Sequence, residues 1–166
     1  MVRIGGKGMS KYNFEQKRND YLTPPELYNM ALEWVGADYF DLDTCCSKMN
    51  IPAYHYFFDD FADGLKWDWE ELNWCNPPYN ECDKWIKKAF EEQQKGNNTV
   101  MLIPVRTETK YWHEYILNNK SIDLNHDIIF LRKKYCFINP DTEQAMGVYK
   151  NPLALVYFRG IKKNNP

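Results

Sequence analysis

The sequence contains no paired CxxC, no apolar run long enough to cross a bilayer, no internal repeat and almost no net charge, and each absence removes a class of protein. Five cysteines, Cys45, Cys46, Cys75, Cys82 and Cys136, form an odd set without the spacing of a four-ligand zinc site or a disulfide framework. They read as free thiols in a reducing compartment, and no metal site is expected. The adjacent Cys45 and Cys46 read as small residues packed near a strand end rather than as nucleophiles. The longest apolar runs, Val100 to Ile103 and Leu153 to Phe158, fall far short of the roughly 20 residues that a transmembrane helix needs. The N-terminus has no continuous apolar segment of the signal-peptide kind, so a cytoplasmic location without membrane attachment is the default expectation.

What is present is the material of one domain. A chain of 166 residues with 44% hydrophobic and 27% charged residues can build a core and leaves little room for a second. The net charge of −2 exerts no overall pull toward nucleic acid, yet the charges are unevenly placed. Arg3, Lys7, Lys11, Lys17 and Arg18 crowd the first eighteen residues against the single acid Glu15. Arg132-Lys133-Lys134 and Lys162-Lys163 lie near the other end, while Asp59, Asp60, Asp63, Asp68, Glu70 and Glu71 occupy the middle. Converging basic segments would neutralise phosphates, although such a run is as often only a solvated surface.

Residues 1–20, rich in Gly, Lys and Asn, read as a flexible basic arm, and residues 21–166 as a single domain. Thr23 and Glu26 have the spacing of a capping box with Pro24 in the first helical position, followed by Leu27, Met30, Ala31, Trp34 and Val35 at helical spacing and a stop at Gly36. Tyr39 to Asp43 reads as a buried strand whose last residue, Asp43, emerges at a sheet edge. Strands are also expected at Tyr54 to Phe58, leading into Asn76, over Val100 to Ile103, over Ile128 to Leu131 and over Leu153 to Phe158. Helices are expected from about Asn80, burying Trp85, Ile86, Ala89 and Phe90 and ending before Gly96, and from about Glu108, carrying Trp112, Tyr115 and Ile116. This alternation predicts an α/β fold: a mostly parallel open sheet with helices on both faces and ligands beyond the carboxyl ends of the strands.

The chemistry is concentrated in Asn76-Pro77-Pro78-Tyr79, directly after a strand. Two consecutive prolines fix the backbone and leave carbonyls without intervening amide donors, which suits a hydrogen-bond acceptor site. The amino group of a nucleobase is a poor nucleophile because its lone pair is delocalised into the ring. If the Asn76 side-chain oxygen and the Pro77 carbonyl both accept from that group, the nitrogen gains tetrahedral character and can attack an electrophilic methyl. Tyr79 would stack on the base, which must leave the duplex to enter so tight a pocket. The bland alternative is a Pro-Pro turn beside a buried tyrosine. A lone histidine, His113, reads as a helix-surface residue rather than a catalytic base.

In the order Tyr21-Leu22-Thr23-Pro24, Asp41-Leu42-Asp43, Asp63-Gly64-Leu65 with Trp67, Asn76 to Tyr79, Leu102-Ile103-Pro104, Thr107, Thr109, Trp112 and His113, the chain resembles the phage-type, Dam-like DNA N6-adenine methyltransferase family over about residues 20 to 158. The resemblance implies a Rossmann-like methyltransferase fold, S-adenosylmethionine as cofactor, DNA as partner and adenine N6 as target, in a bacterial host cytoplasm if the gene is carried by a phage or prophage. It implies catalytic roles for Asn76, Pro77, Pro78 and Tyr79, and a cofactor pocket built from Tyr21, Thr23, Pro24, Asp41, Asp43, Asp63 and Asn76. Arg106, Thr107, Arg132 and Lys133, which follow two expected strands, are the candidate DNA contacts. The glycine-rich loop usual after the first strand of methyltransferases is replaced here by Thr44-Cys45-Cys46-Ser47. Methylation of RNA or of a protein amide, and a catalytically silent nucleic-acid-binding module, are the competing readings. Residues 132–151 are the candidate reader of the target, but neither the recognition sequence nor the oligomeric state follows from the chain.

Overall fold

The computed structural model describes residues 21–58 and 63–162; the expected basic arm of residues 1–20, with Asp59 and Asp60, lies outside the described residues. Six strands form one sheet in the order β2-β1-β3-β4-β8-β5: β1 (Phe40–Cys46), β2 (Ala53–Phe58), β3 (Leu72–Cys75), β4 (Asn98–Pro104), β5 (Ile128–Phe130) and β8 (Leu153–Phe158). Strands β1 to β4 pair in parallel, and β8 runs antiparallel between β4 and β5. The β1-β2 pair lies on one side of β3, so the strand order reverses between β1 and β3. Such a reversal opens a crevice beyond the carboxyl ends of the two strands.

Helices cover both faces, and the strand sequences explain why. In β4, Val100 and Leu102 face α1 (Pro25–Val35), packing with Leu27, Ala31, Phe40 and Trp74. Met101 and Ile103 face the other way, against Trp85, Ile86 and Ala89 of α2 (Cys82–Lys95) and against Trp112. In β8, Leu153 and Leu155 join the first layer, and Ala154 and Val156 the second. A strand buried on both faces reads as an unbroken apolar run, and these two do. Gly36 and Gly96 close α1 and α2 in the left-handed conformation (φ 70° and 105°) that glycine adopts without steric cost.

Several expectations are corrected. Thr23 and Glu26 make no capping box: α1 starts at Pro25 with Pro24 as its cap residue and no side-chain cap hydrogen bond. Asp43 does not end β1, which continues through Thr44, Cys45 and Cys46. A turn of 3-10 helix at Tyr79–Glu81 precedes α2, and α3 (Lys110–Trp112) is short, widening at once into a π-helical turn at His113–Leu117. Phe90 is only half-buried. Among the described residues the helical crossovers are β3-α2-β4 and the connection from β4 through α3 and the π-helical turn to β5, which lies one strand beyond β4 with β8 between them. Between β1 and β2 the register sets Phe40 beside Ala53, so residues 47–52 must return nearly the full length of the strand, about 20 Å at about 3.3 Å per residue, and run almost extended. Ile51 anchors this return in the α1 layer.

One element went unforeseen. β6 (Cys136–Ile138) and β7 (Ala145–Val148) form a separate antiparallel hairpin, which joins the chain entering α1 through paired hydrogen bonds between Leu22 and Ile138 (2.8 and 3.0 Å).

Candidate functional site

The crevice at the strand reversal is a cleft of about 260 Å³, part of it open to solvent. Of the residues singled out from sequence, it is lined by Tyr21, Thr23, Asp43 and Asn76, joined by Cys45, Lys48 and Asn50 among others. The extended return after β1 is what carries Ser47, Lys48 and Asn50 to its wall. Asp43 is 3% exposed, and its Oδ1 accepts the backbone N–H of Cys45 at 3.4 Å. Lys48 bonds to Glu143 and to the Pro140 carbonyl in the hairpin turn. The cavity wall therefore presents a buried carboxylate, an ammonium group, a carboxamide and hydroxyls.

The other sequence candidates lie elsewhere. Asp41 sits near the start of β1, where its Oδ2 accepts the backbone N–H of Leu72 at 2.8 Å. Asp63 closes a turn, with Oδ1 accepting from Leu65 N–H at 3.0 Å and Oδ2 facing Lys66 at 3.1 Å. The following Gly64 packs so tightly on β1 that a Cβ there would stand 2.1 Å from the Thr44 carbonyl oxygen, which accounts for this glycine by packing alone. Pro24 caps α1 and does not line the cavity.

At the end of β3, the Asn76 side chain points back toward the segment before α1. Its Nδ2 donates to Thr23 Oγ1 at 3.2 Å. Its backbone carbonyl accepts from the Cys45 thiol at 3.4 Å. Burial pushes that thiol well above its ordinary pKa, so Cys45 stays protonated and can serve as the donor.

The four carbonyls of the tetrapeptide are not equivalent. Asn76 O is taken by Cys45, Pro78 O accepts the Glu81 backbone N–H at 2.9 Å, and Tyr79 O accepts from Arg106 Nη1 at 3.1 Å. Among the described residues neither Pro77 O nor Asn76 Oδ1 has a hydrogen-bond partner. Two acceptor atoms on adjacent residues are thus left over in a loop whose other acceptors are used.

The Tyr79 ring packs edge-on against two aromatic rings of the hairpin region, Phe137 (centroids 6.2 Å, 75°) and Tyr149 (5.2 Å, 62°). Burial raises its phenol well above the usual range, and its hydroxyl is buried without a partner among the described residues. Cys82, at the start of α2, is likewise pushed up by burial, to about 12.

β4 and β5 end on the same edge of the sheet as β1 and β3. Thr107, Arg132 and Lys133 follow them and are exposed, whereas Arg106 is half-buried. Lys133 lies 2.7 Å from Glu26 on α1 and 5.1 Å from the centroid of Tyr135. His113 is exposed. Among the described residues no group of three or more His, Cys, Asp or Glu could hold a metal ion, and no helix is long and apolar enough to cross a membrane.

Sequence reasoning missed Cys45, Asn50, Lys48, Phe137 and Tyr149. For the last two a weak signal existed: Asn139-Pro140-Asp141 is a turn sequence between short apolar runs.

The fold is that of a methyltransferase: the chain superposes on a protein of Pyrococcus horikoshii described as a candidate RNA methyltransferase, with a TM-score of 0.50 and 11% identity, over 96% of this chain and 92% of that one. Residues 11–165 match the family of the DNA N-6-adenine-methyltransferases (Dam), to which the chain belongs. It is 28% identical over 153 residues to the DNA N-6-adenine-methyltransferase of Haemophilus phage HP1, covering 90% of this chain and 84% of the phage protein. With the DNA N-6-adenine-methyltransferase of Escherichia phage T1 it shares 32% identity over 135 residues, spanning 75% of this chain and 56% of that protein.

Proposed function

We propose that this protein transfers a methyl group from S-adenosylmethionine to the N6 amino group of an adenine turned out of duplex DNA. The observation that carries the reading is the pair of unclaimed acceptors, Asn76 Oδ1 and Pro77 O, in a loop that commits its other three carbonyls. An exocyclic amino group carries two N–H donors, so two adjacent acceptors complement it. Hydrogen bonds from both N–H groups to these acceptors draw the amino nitrogen out of conjugation and free its lone pair to attack; as the N–C bond forms the S–C bond of the sulfonium breaks, the neutral thioether leaves, and the methylated nitrogen then gives up one proton to solvent. Family membership supports adenine in DNA as the target.

The chemistry of the cavity wall fits the cofactor. The Asp43 carboxylate and the Lys48 ammonium group complement an amino acid's two charged ends, and Asn50 and Ser47 can meet hydroxyl groups. When bound there, the cofactor supplies an electrophilic methyl on a sulfonium centre. Tyr21, Thr23, Pro24, Asp41, Asp43, Asp63 and Asn76 were all candidates for holding it; Tyr21, Thr23, Asp43 and Asn76 line the cavity, and of these Tyr21 and Asp43 are assigned to the cofactor. Tyr79 offers its ring to the extruded base, with Phe137 and Tyr149 beside it. Thr107, Arg132 and Lys133 are the proposed phosphate contacts, and Arg106 is assigned to holding the acceptor loop. Residues 21–166 are taken as one methyltransferase domain.

Incubation with methyl-tritiated cofactor and duplex DNA, RNA or protein extract tests the assignment. Label entering DNA supports it, and label entering only RNA or protein contradicts it.

A further inference from the structure

We infer that Thr23 is a positioning residue for Asn76: its hydroxyl anchors the Asn76 carboxamide through Nδ2 and leaves Oδ1 to face the substrate. The inference rests on the acceptor reading of Asn76 above and assigns to Thr23 a task other than contact with the cofactor.

A carboxamide has a donor end and an acceptor end of nearly the same shape, and rotation by half a turn about the last side-chain bond exchanges them. Only one orientation accepts from an amino group. The other would point N–H bonds at the N–H bonds of the base. Asn76 lies at the mouth of the crevice, half-buried, so neither tight packing nor the backbone decides between them. In the structure Nδ2 donates to Thr23 Oγ1 at 3.2 Å, which turns the donor end toward α1 and leaves Oδ1 on the opposite side without a partner among the described residues; a hydroxyl can also donate, so Thr23 anchors the carboxamide and the amino group of the base, which needs an acceptor, completes the choice.

A residue can orient another only if it is itself held, and Thr23 is held on several sides. The residue is 2% exposed. Its carbonyl accepts from Asn50 Nδ2 at 3.0 Å. The preceding Leu22 is bonded in both directions to Ile138 of the hairpin, and Pro24, which follows Thr23 directly, restricts the Thr23 backbone to the extended region. At the other end of Asn76, the Cys45 thiol holds the main-chain carbonyl. Side chain and backbone of the acceptor residue are thus clamped from two segments far apart in sequence, which is the preorganisation an electrostatic acceptor site needs.

Thr23→Val keeps the shape and removes the hydrogen-bonding oxygen; Thr23→Ser keeps the oxygen. The test measures kcat at saturating cofactor and DNA, the calorimetric Kd for S-adenosylmethionine, and the side-chain amide resonance of Asn76 in uniformly labelled protein, assigned by its loss in Asn76→Asp. Thermal melting selects folded variants, with Thr23→Ala as the alternative if the valine fails to fold. Thr23→Val is expected to lower kcat by about 10- to 100-fold, to shift the Asn76 amide resonance and to leave the cofactor Kd within about twofold, while Thr23→Ser restores both kcat and resonance. A Thr23→Val enzyme with wild-type kcat, or an unmoved Asn76 resonance, overturns the inference, and a weakened cofactor Kd with unchanged kcat makes Thr23 a cofactor contact instead. If Asn76→Ala is inactive while Thr23→Val is fully active, the inference alone fails. If Asn76→Ala is itself as active as wild type, the acceptor reading fails and takes the inference with it.

Discussion

Arg106 Nη1 donates to the carbonyl oxygen of Tyr79 at 3.1 Å, so the second residue after β4 holds the end of the loop that follows β3. Removing this donor frees the loop rather than a phosphate. Arg106→Met is expected to lower kcat by about 10- to 100-fold and to leave the salt dependence of DNA binding unchanged. A phosphate contact would instead reduce the slope of log K against log salt by about 1. Binding isotherms at several salt concentrations, with turnover at saturating DNA, separate the two.

Tyr79 contributes its ring, because its hydroxyl is buried without a partner among the described residues. A buried unsatisfied hydroxyl costs about 1 kcal/mol or more. Tyr79→Phe is therefore expected to match or exceed wild-type stability and to keep turnover within a few-fold, whereas Tyr79→Ala loses turnover. Melting curves with single-turnover rates check this; a large loss in Tyr79→Phe would mean that the hydroxyl meets the substrate.

Lys133 and Glu26 face each other on the exposed edge below the hairpin. An exposed pair contributes little to folding, about 0 to 1 kcal/mol, but Glu26 competes with any phosphate for the same ammonium group. Glu26→Gln is expected to tighten DNA binding and Lys133→Ala to weaken it, the latter lowering the salt slope by about 1. Equal DNA affinity in all three proteins would remove Lys133 from the interface.

Glu92, buried on α2, accepts from Lys88 at 2.6 Å, Lys95 at 2.8 Å and Asn97 at 2.8 Å. Burial alone would raise its pKa, but the bonds from Lys88, Lys95 and Asn97 outweigh it and hold the carboxyl below its ordinary 4.5. A depressed folded pKa stabilises the fold above the unfolded value, and that contribution disappears as pH falls through the folded value. Glu92→Gln is expected to cost about 1 to 3 kcal/mol at pH 7, with the gap narrowing as pH falls below the ordinary 4.5 and through the lower folded value. Urea denaturation at pH 7, 5 and 3.5 measures it, and a gap constant with pH would contradict the paired carboxylate.

The elements legible in the sequence are those whose burial has a simple period. Val100 to Ile103 and Leu153 to Phe158 announce buried strands because both faces are covered, and Gly36 and Gly96 announce helix ends because the left-handed turn requires them. Asn76 to Tyr79 is legible for the same reason, since two prolines can end a strand only in a loop. Thr23 misled because a threonine three residues before a glutamate fits a cap locally, while tertiary structure supplies Asn76 as its actual partner. The hairpin was hidden by strands of three and four residues with little core to bury. Cys45, Lys48 and Asn50 reach the cavity only because the return between β1 and β2 is extended, a consequence of sheet order that no local pattern carries.

The most direct test of the acceptor site compares wild type with Asn76→Ala on duplex DNA and methyl-tritiated cofactor, followed by digestion to nucleosides and chromatography. Wild type is expected to place the label in N6-methyldeoxyadenosine. Asn76→Ala is expected to place none there while binding the cofactor with nearly unchanged affinity by calorimetry. Label in a methylated cytosine, or undiminished labelling of adenine by Asn76→Ala, would contradict the assignment of Asn76 Oδ1 and Pro77 O as the acceptors of the adenine amino group.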